Sequence, residues 1–465
     1  MSQSKGLSFL NLARLSLFQG CLGCLAVIFA GMLNRIMISE LAFPAILVGG
    51  GLAFEQLMAP SRVLFGNISD NWPIKGKRRT PYIFLGAIGF CSMAIVSIPL
   101  IFSTEKALSE GSPLNIAISA VILCALFSLY GLAISLATTP YLALVIDITS
   151  EEERPRAVGI IWCMLTIGII VGAISISIST QSLDGVSDPS LLEPALQEFM
   201  TKVAGIVLGI TFFACWGIER KKTNLELKQE SNLKKTTEVG LKKAWSIISS
   251  SKQIFIFFIF LILYTLGLFL QDPILESYGA EVFNLPISQT TLLNAFWGVG
   301  TLIGLLIGGL LITPKLGKLS TAKFGCLMIV ASLSLLIISG LFQNVNALFG
   351  VLVIFGLAAG IATNSALSLM LDLTLPEMAG TLVGVWGLAQ ALSRAIGKIL
   401  GGGLLDIGRA LIDSQNPFWS FSFVFLLEII VTCIAIEVLK KVSVKRFREE
   451  TSSTLTTLMM ADLDG

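Results

Sequence analysis

Apolar residues run along this chain in blocks of about twenty, separated by short stretches rich in charge, Pro and Gly. About 20 predominantly apolar residues in a helix span a hydrocarbon layer of ~30 Å. In that layer every backbone N–H and C=O must be paired internally, so blocks of this length read as helices and not as strands. The pattern predicts about twelve spans, near 13–38, 44–66, 82–102, 114–137, 157–179, 199–218, 254–270, 290–312, 322–342, 346–371, 379–405 and 418–438. The expected class is an all-α integral membrane protein. The opening "MSQSKGLSFLNLAR" is short and polar, and the first span runs on past any small-residue cleavage site, so that span is expected to be retained.

Composition agrees and adds an orientation. Of 465 residues, 54% are hydrophobic and 13% charged. Cytoplasmic loops collect Lys and Arg. With both termini inside, the N-terminus, the 66–81 and 138–156 loops, the 219–253 linker, the turn around Lys315 and the tail hold 25 of the 32 basic residues. Only Arg35, Lys106, Lys202 and Arg409 then fall outside, while Arg62, Arg394 and Lys398 fall within spans. Both termini are therefore expected to be cytoplasmic. Basic loops against anionic lipid account for these cations without a nucleic-acid partner.

The linker divides the spans six and six. The expected organisation is an N-terminal half at 1–218, a basic cytoplasmic linker at 219–253, a C-terminal half at 254–440 and a tail at 441–465. A repeat supports it: "IDITSEEERPRAVGIIW" at 146–162 and "LDLTLPEMAGTLVGVW" at 371–386 each join the end of one span to the start of the next. Asp147 matches Asp372 and Gly159 matches Gly384, both at an offset of 225. Two parallel halves around a basic central loop resemble the plan of the major facilitator superfamily. "GNISDNWPIKGKRRTPY" at 66–82 also resembles that superfamily's signature between spans 2 and 3.

The signature's chemistry can be stated from its residues. Gly66 lets two helices approach closely. Asp70 is an acceptor at a helix boundary, and Lys77, Arg78 and Arg79 can reach carboxylates on neighbouring helices. Asp147 and Glu151 to Glu153 offer such partners, Arg154 adds a cation, and Asp372 repeats Asp147 in the second half. Charge pairs between helix ends form a latch that breaks when two halves rock apart, so these residues are the gating candidates.

Polar residues inside spans each cost roughly 2.5–3.5 kcal/mol at mid-bilayer and are expected to face the interior. Glu55 and Arg62, seven apart, share a helix face, as do Arg394 and Lys398, four apart. Asn294, Trp297, Asn364, Gln390 and Glu428 are further candidates to line a cavity. Glu55 with a cation of the 379–405 span is the expected central pair. In "QDPILESYGAEVFNLPISQTT" at 271–291, Pro273 breaks the helix. Asp272 is then expected to cap a short outer helix ended by Gly279, with Glu276 and Tyr278 toward the cavity mouth.

Enzymatic chemistry finds no support. Histidine is absent, which removes the commonest general base and metal ligand. The eight cysteines lie in apolar spans, where Cys21 and Cys24 lack the loop context of a metal or redox site. There is no P-loop. The expectation is no enzyme and no metal.

"QDPILESYGAEVFNLPISQTTLLNAFWGVGTLIG", "GVWGLAQALSRAIGKILGGGLLD" at 384–406 and "NLARLSLFQ" resemble the PucC/LhaA family, the bacteriochlorophyll-delivery branch of the major facilitator superfamily. Ser277 stands where many relatives are expected to carry proline. The resemblance implies a phototroph's membrane protein, in the thylakoid or cytoplasmic membrane, that helps assemble light-harvesting or photosystem complexes. Its implied cargo is chlorophyll or bacteriochlorophyll, and its implied partners are antenna or photosystem subunits. Without His, the pigment Mg would take oxygen ligands, which suits its chemistry, and Glu55 or Glu276 could supply one. "TTPYLALVIDITSEEERPRAVG" at 138–159 is also similar to sugar–cation symporters, so a cation-coupled transporter of a small solute is the alternative, beside a non-transporting assembly scaffold.

Overall fold

The computed structural model describes residues 9–149, 154–186, 188–219, 252–373, 379–412, 416–443 and 446. They form the helices α1 (Phe9–Val27), α2 (Ala45–Leu57), α3 (Ser61–Asn71), α4 (Thr80–Glu110), α5 (Pro113–Ile148), α6 (Arg154–Ser179) and α7 (Pro189–Cys215). After the linker come α8 (Lys252–Phe269), α9 (Leu275–Phe283), α10 (Ile287–Ile307), α11 (Lys318–Leu341), α12 (Val345–Asp372), α13 (Ala379–Leu411) and α14 (Phe418–Leu439). Nearly all of the linker expected at 219–253 lies outside the described residues. Among those described, ten helices are long and apolar enough to cross a membrane, the first running Leu10–Glu40 through two π-helical stretches beyond α1. The protein is a multi-pass integral membrane protein.

Two of the expected spans are interrupted. The 44–66 span breaks into α2 and α3 at residues 58–60, because Pro60 has no N–H to give and its ring clashes with the preceding turn. The helix at 252–269 unwinds at Leu270–Ile274 around Pro273 and resumes as α9. The unwound segment is bonded to the first helix, where Asn34 Nδ2 donates to Pro273 O at 2.5 Å. Nor does Asp272 cap α9, whose N-terminal flanking residue is Ile274 with no side-chain cap. The helix ends at Asn284, in the left-handed conformation at φ 55°, and not at Gly279. The N–H groups of Asn284 and Leu285 both reach back to Gly279 O, which closes the last turn.

Packing follows the glycines. α1 lies on α6, α4 on α5 and α7, α10 on α12, and α8 and α11 on α14. At α10 and α12 the backbones nearly touch: a Cβ at Gly304 would lie 2.9 Å from Leu357 C, and one at Gly356 would lie 2.8 Å from Thr301 N. Small residues at crossings are how helices gain close contact without a hydrophobic drive between them. Gly66 is not such a position, since a Cβ there would meet Thr139 at an ordinary 3.5 Å. The tight approach of α5 to α2 comes from Gly131, whose Cβ would lie 2.7 Å from Glu55 Cα.

Helices α1–α7 and α8–α14 meet chiefly through α2 against α13 and α6 against α10. The bundle has a near end, where α1 begins and α14 finishes, and a far end holding residues 40–45, 411–412 and 416–418.

Candidate functional site

Four elements bring charge to the middle of the bundle. Glu55 lies ten residues into α2, Arg62 at the start of α3, Asp272 at the α8–α9 break, and Arg394 and Lys398 midway along α13. Arg394 is within electrostatic reach of Asp272, Glu55 and Arg62, and its guanidinium stacks 4.6 Å from the Phe269 ring centre. Asp272 faces both Lys398 and Arg394. Lys398 is buried, so its charge stays inside the protein and does not snorkel to a surface. Glu55 thus joins an interhelical charge cluster with a cation of α13, and it also accepts from Gln56 Nε2 at 3.3 Å. The cluster is shared by both groups of helices. Arg62 is exposed and Glu55, Asp272 and Arg394 are half-buried, whereas Lys398 and Glu428 are buried.

The remaining sequence candidates divide. Glu276 is 2% exposed and lies against Gly31, where no Cβ could fit; Asn294 Nδ2 donates to its Oε1, while its Oε2 has no partner. Arg35, buried on the first helix, is within electrostatic reach of it but bonds Glu40 at 3.0 Å and Leu285 O at 3.1 Å. Tyr278 is not at a cavity mouth. It is fully buried between Phe283, Phe421 and Phe425, and its hydroxyl donates to Leu336 O at 2.9 Å. Asn364 fastens α12 to α10 by donating to Leu305 O at 3.2 Å. Trp297 and Gln390 are half-buried, and Trp297 Nε1 has no acceptor.

At the far end several polar groups join the two sets of helices. Asp406 on α13 accepts from the first two N–H groups of α2, Ala45 at 3.0 Å and Ile46 at 2.7 Å. Ser39 donates to Glu281, which Arg409 holds at 2.8 Å, and Ser288 N–H donates to Asp184 at 3.0 Å. A helix N-terminus presents unpaired N–H groups and a partial positive charge, so the Asp406 carboxylate is well matched to it.

At the near end Arg79 is the centre. Buried at 3% exposure, it pairs with Asp70 at 2.5 Å and Asp147 at 3.0 Å and donates to Ser69 Oγ at 2.7 Å. Glu219 accepts from the N–H groups of Arg78 at 2.6 Å, Arg79 at 2.9 Å and Thr80 at 2.6 Å, capping α4 from about 140 residues away. Lys77 is half-buried and its backbone pairs with Ile74 in a tight turn. Among the described residues these groups belong to α1–α7 and their flanks, so Arg79 ties helix ends within one set. Arg154 opens α6 and Asp372 closes α12; their side chains, and residues 151–153, lie outside what is described. Glu219, Asp406, Asp184 and Arg35 were not singled out from sequence. The signal for Glu219 is an acid at the very start of the basic linker, directly before Arg220, Lys221 and Lys222.

Helices of this length, two broken spans and a charged centre shared between two helical sets define an all-α, multi-pass membrane protein. The bacterial homologue of the human lysosomal transporter Spinster, solved in an inward-facing and unoccupied conformation, superposes with a TM-score of 0.69 at 13% identity, covering 95% of this chain and 98% of that one. Residues 32–447 match the family described as PUCC protein. The chain belongs to the PucC family. It is 30% identical to Protein PucC of Cereibacter sphaeroides, over 90% of this chain and 88% of that one. It is also 30% identical to the bacteriochlorophyll synthase 44.5 kDa chain of Rhodobacter capsulatus, over 89% and 91%.

Proposed function

We propose that this protein aids assembly of light-harvesting or photosystem chlorophyll–protein complexes in the thylakoid or cytoplasmic membrane of a phototrophic bacterium, by handing over chlorophyll or bacteriochlorophyll. The observation that carries this reading is membership of the PucC family across residues 32–447, with a relative whose name refers to bacteriochlorophyll synthesis. In this reading the chain crosses the membrane twelve times, counting α2 with α3 as one crossing and α13 as another. The crossings form two six-helix halves on either side of the 219–253 linker, and both termini are cytoplasmic. The protein is a carrier and not an enzyme.

Cargo is held at the centre, where Glu55, Arg62, Asp272 and Arg394 keep partial exposure, with Glu276, Asn294, Trp297, Asn364 and Gln390 around them. Oxygen ligands suit Mg, so a carboxylate steadied by a nearby guanidinium is the natural axial ligand in a protein without His. The far end is closed by the Asp406, Glu281 and Asp184 contacts, so pigment enters and leaves from the near, cytoplasmic end. Gly66, Asp70, Lys77, Arg78, Arg79, Asp147, Arg154 and Asp372 steady the helix ends that move there.

Purification from a phototrophic host in mild detergent, with Glu55→Gln and Glu276→Gln in parallel, tests this. Stoichiometric chlorophyll in the wild type that is lost in either variant is the expected result. Pigment-free protein in all three forms would overturn it and favour a small-solute transporter, for which the buried charges and the fold also speak. Substrate-dependent flux lost in Glu55→Gln would establish that alternative; no flux at all would leave an assembly scaffold.

A further inference from the structure

Glu428 is the residue with least use in any of this. It lies ten residues into α14, is wholly buried, and neither carboxylate oxygen has a hydrogen-bond partner. The backbone N–H of Gln271 points toward it without closing a bond. Thr432, one turn along, donates to Glu428 O at 2.9 Å and lies 3.2 Å from Gly267 O, so its hydroxyl is committed to backbone.

The helices packed on α14 bring no cation to Glu428 directly. From the α8–α9 break comes Asp272, a second carboxylate. From α9 come Glu276, which acts on Asp272, and Tyr278, whose hydroxyl is taken by Leu336 O. From α13 Lys398 and Arg394 reach Asp272. α11 carries charge only at Lys318 and Lys323, at the near end. An ionised carboxylate with no donor and a like-charged neighbour costs several kcal/mol in an apolar interior. Two acids so placed do not both ionise, because each disfavours the charge of the other.

We propose that Glu428, with Asp272 beside it, is a proton-binding site: Glu428 holds a proton as a neutral carboxylic acid, leaving Asp272 free to pair with Lys398 and Arg394. Loss of that proton sets a second negative charge against Asp272 and weakens its hold on α13. Pro273, the next residue, accepts from Asn34 of the first helix. The site therefore sits on the joint between the two helical sets, and its occupancy biases how they meet. This inference does not depend on the cargo.

Infrared difference spectroscopy of the purified full chain in lipid nanodiscs, cycled in pH and between H2O and D2O, reads the proton directly. A carboxylic C=O band at neutral pH, shifted in D2O, absent in Glu428→Gln and retained in Glu276→Gln, is expected. Asp272→Asn should move the loss of the same band to lower pH by about one unit, since the charge that disfavoured ionisation of Glu428 has gone; that readout stands even if Glu428→Gln does not fold. Absence of the band from wild type at neutral pH, its persistence in Glu428→Gln, or no downward movement in Asp272→Asn would overturn the proposal.

Discussion

Glu219 offers the sharpest test of how the near end is built. Its carboxylate accepts three successive N–H groups, those of Arg78, Arg79 and Thr80, at 2.6–2.9 Å. The first N–H groups of a helix have no partner of their own, and losing one cap costs typically ~1 kcal/mol, with ~0.3–1 kcal/mol more for a negative charge at a helix N-terminus. Water can replace part of this because Glu219 is only half-buried. The net loss in Glu219→Ala is therefore set at about 2 kcal/mol, below the sum for three separate caps. If the first turn of α4 opens locally, 2 kcal/mol speeds exchange of its amides ~30-fold. Hydrogen–deuterium exchange with mass spectrometry on peptides covering 77–84 reads this in detergent or nanodiscs. Glu219→Gln keeps one good acceptor and should give a smaller acceleration. Peptides from the far end, such as those around Glu281, should be unaffected. Unchanged exchange at 78–80 in Glu219→Ala would show that the cap does not hold this helix start, and the same acceleration at both ends would mean global loosening.

Other outcomes follow from the same geometry. Gly304→Val should lower stability by more than ~3 kcal/mol, because its Cβ meets Leu357 backbone that cannot move aside, whereas Gly50→Ala, with open space around it, should be neutral or gain up to ~1 kcal/mol; thermal denaturation in one detergent compares them. Arg79→Gln should cost about 1–3 kcal/mol, less than a fully buried pair, because Asp70 and Asp147 are about a third exposed and can rehydrate; denaturation at low and high salt checks it, with the deficit shrinking in salt. Asp406→Ala removes the cap on α2 and should raise exchange at Ala45 and Ile46 ~5–10-fold, with no effect at 78–80.

How far the sequence led depended on the range of the force involved. Hydrophobic length is a local property, so the spans were legible, and Pro273 marked one place where a helix breaks, while the break at Pro60 inside the expected 44–66 span was not read. The company Asp272 keeps was not legible, because a charge at the end of an apolar run carries no sign of distant partners. Only the fold reveals that Lys398 and Arg394, more than 120 residues away, are there to meet it. The charge pattern around Arg79 announced ion pairs, and Asp70 and Asp147 are indeed its partners. What spacing could not say is that all three sit in one helical set. Asp406 is a stronger case: it caps a helix 360 residues earlier in the chain, and no local pattern ties an acid at one helix end to the start of another.

The two ends of the bundle consequently differ in kind. At the near end, among the described residues, Arg79 and Glu219 spend their hydrogen bonds inside α1–α7. At the far end, Asn34, Asp184, Asp406 and Ser39 with Glu281 each bond across the sets, and opening that side must break these contacts together. Each bond is worth only ~0.5–1.5 kcal/mol net, but separation in an apolar setting leaves donors and acceptors unpaired at ~1–3 kcal/mol apiece. Closure of the far end is thus the favoured resting arrangement, and whatever opens it must act on that joint. The charged centre at Asp272, Arg394 and Glu55 also touches both sets and adjoins that joint, since Pro273 accepts from Asn34.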